Sequence, residues 1–467
     1  MLVQNADQQS IQLVPARVSQ FKSGPWRILS SPTACQLITA DQTNMNTPPI
    51  KDTAAFQRFI EFLQQQKVKK ENLLLIHDVD GDGLSSGRIL QEGLQQLGVK
   101  VRYRFAAYDR TKLFGDFVLE FIQKRRIAAI FTTDLNLLAT NYPAQKQLLQ
   151  NKTFIVFDHH EAPLEVDPNI IYFHPLRTYG YPDPSQYCTT KLVYDLLSEF
   201  ADLSELDWVA AIGIVSDSTY KTWKESVDAT LKKLGLPVPE DPFNSRLQRV
   251  GNLLYYGLAM GKEAADKAIK TFFNAKSYQE ALDGLQPYAV VEEEVNTLMK
   301  NWREYVEGRK EGKEQEKQDQ VIADDVIFIK IESKYKINSL LSSRISYQYP
   351  HKTIVVGAPS RESGGNKEED EFTFSLRRQD GKVNLPAILK ELSRQLPGAV
   401  GGGHIPASGA KCKKQDYEQF KALFRKLHEK YSPPAEGSGH KEQKDQKESG
   451  REVTEDKRKR GRKKKES

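Results

Sequence analysis

Over its first half the chain alternates between short continuous apolar runs and stretches where apolar residues return every three or four positions. Continuous runs suit strands buried on both faces, and the longer period suits amphipathic helices. The pattern predicts a helix over 54–67, with Phe56, Phe59, Ile60 and Leu63 on one face, and then a strand beginning at Leu73. Leu84, Ile89, Leu90, Leu94 and Leu97 predict a helix that starts after Gly83. Strands are expected over 99–105, 127–132, 153–157 and 170–173, and helices over 116–124, 189–200 and 207–215. Such alternation argues an α/β fold built on a doubly wound parallel sheet.

From 218 to 324 the chain reads as charged helices, either a connector between two domains or a packed helical subdomain. At Val326 the α/β pattern returns and predicts a second, smaller α/β domain. The expected layout is a loosely ordered arm over 1–50, a first α/β domain over 51–220, and a helical connector over 221–323. The second domain then covers 324–431, and a disordered basic tail covers 432–467.

Composition narrows the class. The 467 residues can hold two or three domains and bury a sizeable core. No run is long and apolar enough for a membrane span, and the first residues lack a signal-peptide pattern. Cys35, Cys188 and Cys412 are sparse and widely spaced, which argues free thiols in a reducing cytoplasm. The formal charge of +6 is concentrated in the tail, where 435–467 carry twelve Lys/Arg against eight Asp/Glu. That tail, ending KRKRGRKKKES, suits contact with nucleic-acid phosphates; solubility or cellular address is the plainer use.

The candidate chemistry begins where the first strand ends. HDVDGDGLSS places Asp78, Asp80 and Asp82 together, and crowded carboxylates repel unless a cation sits among them. An EF-hand does not fit, because a strand precedes the loop and its twelfth position is Ile89 instead of glutamate. Asp134 ends another strand, Asp158-His159-His160 a third, and Asp217 closes a helix. Singly, each has an ordinary reading as a helix cap, turn former or surface loop. In a parallel sheet, however, the strand carboxyl ends share one edge, so these residues converge there. Carboxylates with imidazole form the ligand set of a two-metal centre holding Mn²⁺, or Mg²⁺ as the alternative.

HDVDGDGLSS, TTDLN, FDHHE and GIVSDS resemble, in order and spacing, the four motifs of the DHH phosphoesterase superfamily, whose members hydrolyse phosphoester or phosphoanhydride bonds with two divalent metals. The resemblance implies metal ligation by Asp80, Asp82, Asp134 (bridging), His159 and Asp217. It places His160 toward the phosphate and makes Asp158 a support that orients His159 or a neighbour. Asp134, Asp158 and His160 are thus the implied catalytic set. Asp78 stands where RecJ-type members carry aspartate, with His77 beside it, so either of the two could complete the ligand shell. Ser375-Leu376-Arg377 and Gly401-Gly402-Gly403-His404 resemble the DHH-associated domain, and imply that Ser375, Arg377, Gly401, Gly402, Gly403 and His404 hold a substrate phosphate.

The whole is most similar to compact archaeal RecJ-like exonucleases acting on single-stranded DNA or RNA, which implies the replisome complex GINS as a partner. The alternatives are a small-substrate DHH phosphatase acting on nanoRNA, pAp or a cyclic dinucleotide, and a non-catalytic replication factor of the same fold. Polarity and the choice between DNA and RNA stay open.

Overall fold

The computed structural model of the protein describes residues 48–160, 167, 169–240, 245–310, 320–322, 325–361, 368–403 and 405–432. Residues 1–47 of the arm expected over 1–50 and 433–467 of the tail expected over 432–467 lie outside the described residues, as do Cys35 and His404. The chain divides into two units, Met1–Val290 and Val291–Ser467.

In the first unit the elements run α1 (Thr53–Lys69), β1 (Asn72–His77), α2 (Gly81–Gln96), β2 (Tyr103–Ala106), α3 (Asp116–Lys124), β3 (Ile127–Thr133) and α4 (Tyr142–Gln145). They continue with β4 (Thr153–Phe157), β5 (Ile170–Phe173), α5 (Pro175–Thr178), α6 (Thr189–Ser198) and α7 (Asp207–Ser216). The five strands are all parallel, in the order β2-β1-β3-β4-β5. Side chains alternate across the sheet. Leu74, Ile76, Ile130, Phe154, Val156 and Tyr172 therefore pack on one face with Phe114 and Ile122. On the other face, Phe131, Phe157 and Phe173 meet Phe62 and Phe59 of α1 with ring centroids 5.4–6.0 Å apart. Helices cover both faces, so the unit is the doubly wound α/β fold expected.

Two local expectations shift. The inner face of α1 is Ala55, Phe59, Phe62, Leu63 and Gln66. Phe62 replaces Ile60 there because Phe131 lies opposite it, and Phe56 instead stacks on Phe200 at 5.2 Å. The strand expected over 99–105 is only Tyr103–Ala106. Its earlier part is used to close α2, with the Val99 amide donating to the Leu94 carbonyl at 2.9 Å.

Four further helices belong to the same unit: α8 (Lys224–Lys233), α9 (Arg246–Ala259), α10 (Lys262–Asn274) and α11 (Tyr278–Leu285). The continuous apolar period over 246–269 is broken at Gly261, whose φ of 109° is open to glycine and splits it into α9 and α10. These helices pack on the sheet domain. At Gly251 of α9 a β-carbon would come 2.6 Å from the Ser216 Oγ of α7. The residues read as a connector over 221–323 are thus shared between the two units.

The second unit opens with α12 (Val290–Lys310), all but its first residue, and continues with β6 (Gln320–Ile322), β7 (Val326–Lys330), α13 (Asn338–Gln348), β8 (Thr353–Arg361) and β9 (Glu368–Arg377). It ends with α14 (Leu385–Gln395), β10 (Val400–Gly403), β11 (Ala407–Lys413) and α15 (Tyr417–Tyr431). Its mixed sheet has the order β10-β11-β9-β8-β7-β6, with β7 and β8 parallel and the other neighbours antiparallel. Phe328, Val355, Phe374 and Leu376 pack with Ile388, Leu389 and Leu392 of α14 and Phe420 and Phe424 of α15. Among the described residues no helix is long and apolar enough to cross a membrane.

Candidate metal centre

Because the first sheet is parallel, every strand delivers its next residues to one edge. Asp78 follows β1, Arg110 lies in the loop after β2, Asp134 follows β3, and Asp158, His159 and His160 follow β4. Asp217 is the C-cap of α7 and Cys188 the N-cap of α6. Helix α2 begins at Gly81, earlier than the apolar period indicated, so Asp82 lies in its first turn and Asp80 is its N-cap. The Asp80 carboxylate accepts from the Gly83 amide at 2.9 Å, and that bond satisfies one orphan donor of the helix.

The turn has no room for a side chain at position 83. A β-carbon there would stand 2.5 Å from Asp78 Cβ and 2.8 Å from the Asp78 carbonyl carbon. Gly83→Ala is therefore expected to lower stability by about 1–3 kcal/mol, measured by urea denaturation. A change of under about 0.5 kcal/mol, the size of an ordinary surface substitution, would contradict the close approach.

The polar atoms converge. His159 Nε2 lies 3.5 Å from Asp134 Oδ1 and 4.0 Å from Asp82 Oδ2, and its Nδ1 lies 3.8 Å from Asp217 Oδ2. Three groups have donor atoms within 4.8 Å of one another: Asp134 with His159 and His160, Asp78 with Asp80 and Asp134, and Asp82 with Cys188 and Asp217. His77 joins none of these. It turns to the opposite sheet face, stacks on Phe273 at 5.2 Å, and places its Nδ1 2.6 Å from the Asp78 carbonyl. Of the two neighbours, Asp78 is the one that faces the cluster.

Several of these side chains are held in place. The Thr189 and Thr190 amides at the start of α6 donate to Asp82 at 2.8 and 2.7 Å, and Thr189 Oγ1 donates to Asp134 at 3.0 Å. Asp158 pairs with His160 rather than His159, at 2.6 Å to Nδ1, and its second oxygen accepts from the Tyr172 hydroxyl at 3.3 Å. The His160 carbonyl lies 2.7 Å from His174 Nε2. Arg110 forms a two-pronged ion pair with Asp78, its Nε donating at 3.2 Å, and approaches Asp80 at 3.8 Å. The amides of α6, Tyr172, His174 and Arg110 were missed in the sequence. The signal for Arg110 was its place just past the end of a strand.

Charge makes the cluster costly without a cation. Burial, then Asp134 and Asp217, push the Asp82 carboxyl well above its ordinary range. Burial, then Asp134 and Asp80, do the same to Asp217. Asp80 is pushed up to about 7 by its surroundings and then by Asp134, although half of its side chain still meets solvent and moderates that shift. Burial opposes ionisation of Asp134, but the His160 and His159 imidazoles and Arg110 outweigh it and hold that carboxyl low. Burial likewise opposes the charge on His160, yet the Asp158 hydrogen bond and the charges of Asp158 and Asp134 lift it to about 9.

Among the described residues, two buried polar atoms of this cluster, His159 Nδ1 and Asp217 Oδ2, have no hydrogen-bond partner. Such orphans each cost about 1–3 kcal/mol, and a divalent ion between carboxylate and imidazole would satisfy both. The residues fit divalent metal.

In the second unit, Ser375, Gly409 and Gly402 stand opposite one another across β9, β11 and β10, in the row next to Leu376, Ser408 and Gly403. Gly401–Gly403 is thus an exposed edge strand. Among the described residues nothing lies within 4 Å of where a β-carbon at Gly402 would stand. Arg377 is anchored on α13, its Nε donating to Ser343 Oγ at 3.2 Å and its Nη2 to Ser339 Oγ at 3.0 Å. Ser375 Oγ lies 2.8 Å from Ser342 Oγ. These residues form a polar row beside α13.

Residues 72–214 match the N-terminal domain of the DHH family, and residues 327–430 match the DHHA1 domain. In fold the chain is similar to RecJ in complex with Mn²⁺ from Thermus thermophilus, at 17% identity and a TM-score of 0.57, covering 82% of this chain and 56% of that one. It is also similar to exonuclease RecJ bound to manganese, at 17% identity and a TM-score of 0.56, covering 84% of this chain and 98% of that one. A third likeness is the DHH domain of a member of the s1p family of ribosomal proteins, at 16% identity and a TM-score of 0.60, covering 82% and 92%. No curated protein sequence matches. The two domain matches support a place in the DHH superfamily, and the architecture is the DHH phosphoesterase fold.

Proposed function

We propose that this chain, carrying a DHH and a DHHA1 domain, is a metal-dependent phosphodiesterase that trims single-stranded nucleic acid as a RecJ-like exonuclease. The observation that carries the reading is the meeting of Asp78, Asp80, Asp82, Asp134, His159 and Asp217 at one sheet edge, with two buried donor atoms left unmet. Asp80, Asp82, Asp134, His159 and Asp217 would hold two divalent ions, with Asp78 completing the set. Mn²⁺ suits this mixture of carboxylate and imidazole. Such ions supply a nucleophile at neutral pH and neutralise charge on the leaving oxygen.

The chain's own residues position and receive. His160, kept cationic by Asp158, faces the anionic phosphate, and Arg110 offers a second cation at the same edge. The amides of Thr189 and Thr190 fix Asp82 so that it does not rotate away. On the second unit, Ser375, Arg377 and the exposed Gly401–Gly403 backbone would hold another substrate phosphate, with His404 next to them in sequence; an arginine fork suits an anion there. The compact archaeal nucleases extend the reading to GINS as a partner, which a pull-down with that complex tests.

The direct test is digestion of end-labelled single-stranded DNA and RNA beside a dinucleotide, with Mn²⁺ and with chelator. Processive trimming of the polymers supports the exonuclease. Cleavage confined to the dinucleotide would replace it with a small-substrate phosphatase, and no Mn²⁺-dependent cleavage of any of the three would overturn it. Arg377→Ala should weaken capture by about 1.5–3 kcal/mol, the worth of a charged hydrogen bond, raising KM with kcat nearly constant. An unchanged KM on short oligonucleotides would remove Arg377 from the phosphate site.

A further inference from the structure

Cys188 lies where the core of the first unit meets the acidic edge. It is fully buried, it caps α6, and its sulfur is within 4.8 Å of carboxylate oxygens of both Asp82 and Asp217. Asp82 is already fixed by the two amides that follow the cysteine. Among the described residues Asp217 Oδ2 is a buried oxygen without a partner, and 3.8 Å from it His159 Nδ1 is equally unmet. A cysteine kept only for packing belongs among apolar neighbours. This one has two carboxylates at ligand spacing, and one of them, Asp217, stands 3.8 Å from the His159 imidazole.

We infer that Cys188 is a sulfur ligand on the Asp82–Asp217 side of the metal centre and biases that position toward thiophilic divalent ions such as Zn²⁺ or Co²⁺ over Mn²⁺. The inference rests on the metal-centre reading above. Thiolate is soft, whereas carboxylate and imidazole accept harder ions, so one sulfur changes the order of preference. As the sulfur–metal bond forms, the thiol proton leaves to solvent and the sulfur lone pair goes to the ion, with no change of oxidation state. Burial, then the charges of Asp82 and Asp217, hold the free thiol well above its ordinary range, so the incoming ion itself displaces that proton.

The test is a titration of the full chain with Co²⁺ in a Cys35→Ser, Cys412→Ser background, which leaves Cys188 as the sole cysteine. A near-ultraviolet thiolate-to-cobalt charge-transfer band is expected there and should vanish when Cys188→Ser is added. Zn²⁺ affinity should fall by about tenfold or more with that substitution, while Mn²⁺ affinity should stay within about twofold. If Cys188→Ser fails to fold, Cys188→Ala takes its place.

Co²⁺ binding without the band, or a band that survives loss of Cys188, overturns the sulfur ligand while leaving the metal centre in place. Failure of both Co²⁺ and Mn²⁺ to bind overturns the metal centre and this inference with it.

Discussion

Asp134→Asn is expected to reduce phosphodiester hydrolysis by about a hundredfold or more, beyond the usual cost of losing a mere supporting contact, and to weaken Mn²⁺ binding measured by calorimetry. The reason is position. Asp134 stands 3.5 Å from His159 and 3.9 Å from His160, and belongs to two of the three groups of converging donors. Asparagine keeps what is structural about the residue. Asp134 has a φ of 61°, a left-handed conformation that asparagine tolerates, and its oxygen could still accept from Thr189 Oγ1.

What is lost is charge, and that charge acts on its neighbours in both directions. Asp134 is a leading cause, after burial, of the raised carboxyls at Asp80, Asp82 and Asp217. Removing its charge relieves that repulsion but also gives up the attraction of His160, His159 and Arg110 that holds the Asp134 carboxyl low, so Mn²⁺ affinity and activity, not metal-free stability, are the readouts. Asp134→Ala would add a backbone penalty of about 1–2 kcal/mol and blur the reading. Activity above about a tenth of the parent, with Mn²⁺ affinity unchanged, would remove Asp134 from the centre, since even an outer contact commonly costs tenfold.

Much of this edge was legible before any coordinates. Parallel strands announce themselves as continuous apolar runs, and the run ending at His77 and those ending at Thr133 and Phe157 each deliver a carboxylate to the same side. Strand alternation also decides between His77 and Asp78, because adjacent residues point to opposite faces; only the location of Phe273 and Arg110 shows which face is which. Phe273 comes from α10, nearly two hundred residues on, and no local pattern carries such a contact.

The partner of Asp158 was open for a similar reason. His159 and His160 are chemically alike, and the choice depends on the turn after β4 that brings His160 Nδ1 to 2.6 Å. Glycine weakens strands, so Gly401–Gly403 carried no strand pattern in the sequence. Pairing with β11 overrides that local preference. Cys188 was read as an ordinary thiol because the sequence showed no metal spacing, and Asp82 and Asp217 reach it only through packing of α2, α6 and α7.

Arg88→Ala is expected to cost about 3–5 kcal/mol of stability, the range for breaking a buried, paired charge, seen as a lower urea midpoint with an unchanged slope. Arg88 lies on α2, only 3% exposed at its side chain. Its guanidinium joins α2 to the end of α10, donating to the Phe272 carbonyl at 2.5 Å and to the Ala275 carbonyl, while Nε pairs with Glu92 at 2.8 Å. It also lies over the Trp208 ring at 4.7 Å from the centroid and the Phe272 ring at 5.4 Å. Truncation would leave both carbonyls without this donor, each worth about 1–3 kcal/mol when left unsatisfied, and would open a cavity beside the indole.

Lysine should restore only part, because a single ammonium cannot span two carbonyls and a carboxylate as a planar fork does. The consequence reaches the metal centre through α2 itself, whose first turn carries Asp82 and whose cap is Asp80. His77, stacked on Phe273 next to the arginine's anchor, ties β1 to the same helix end. Mn²⁺ affinity should therefore fall in Arg88→Ala even where the protein remains folded, because the first turn of α2 loses its backing. A stability loss below about 1 kcal/mol, the average for an arbitrary substitution, would mean that α10 is held by its apolar face alone.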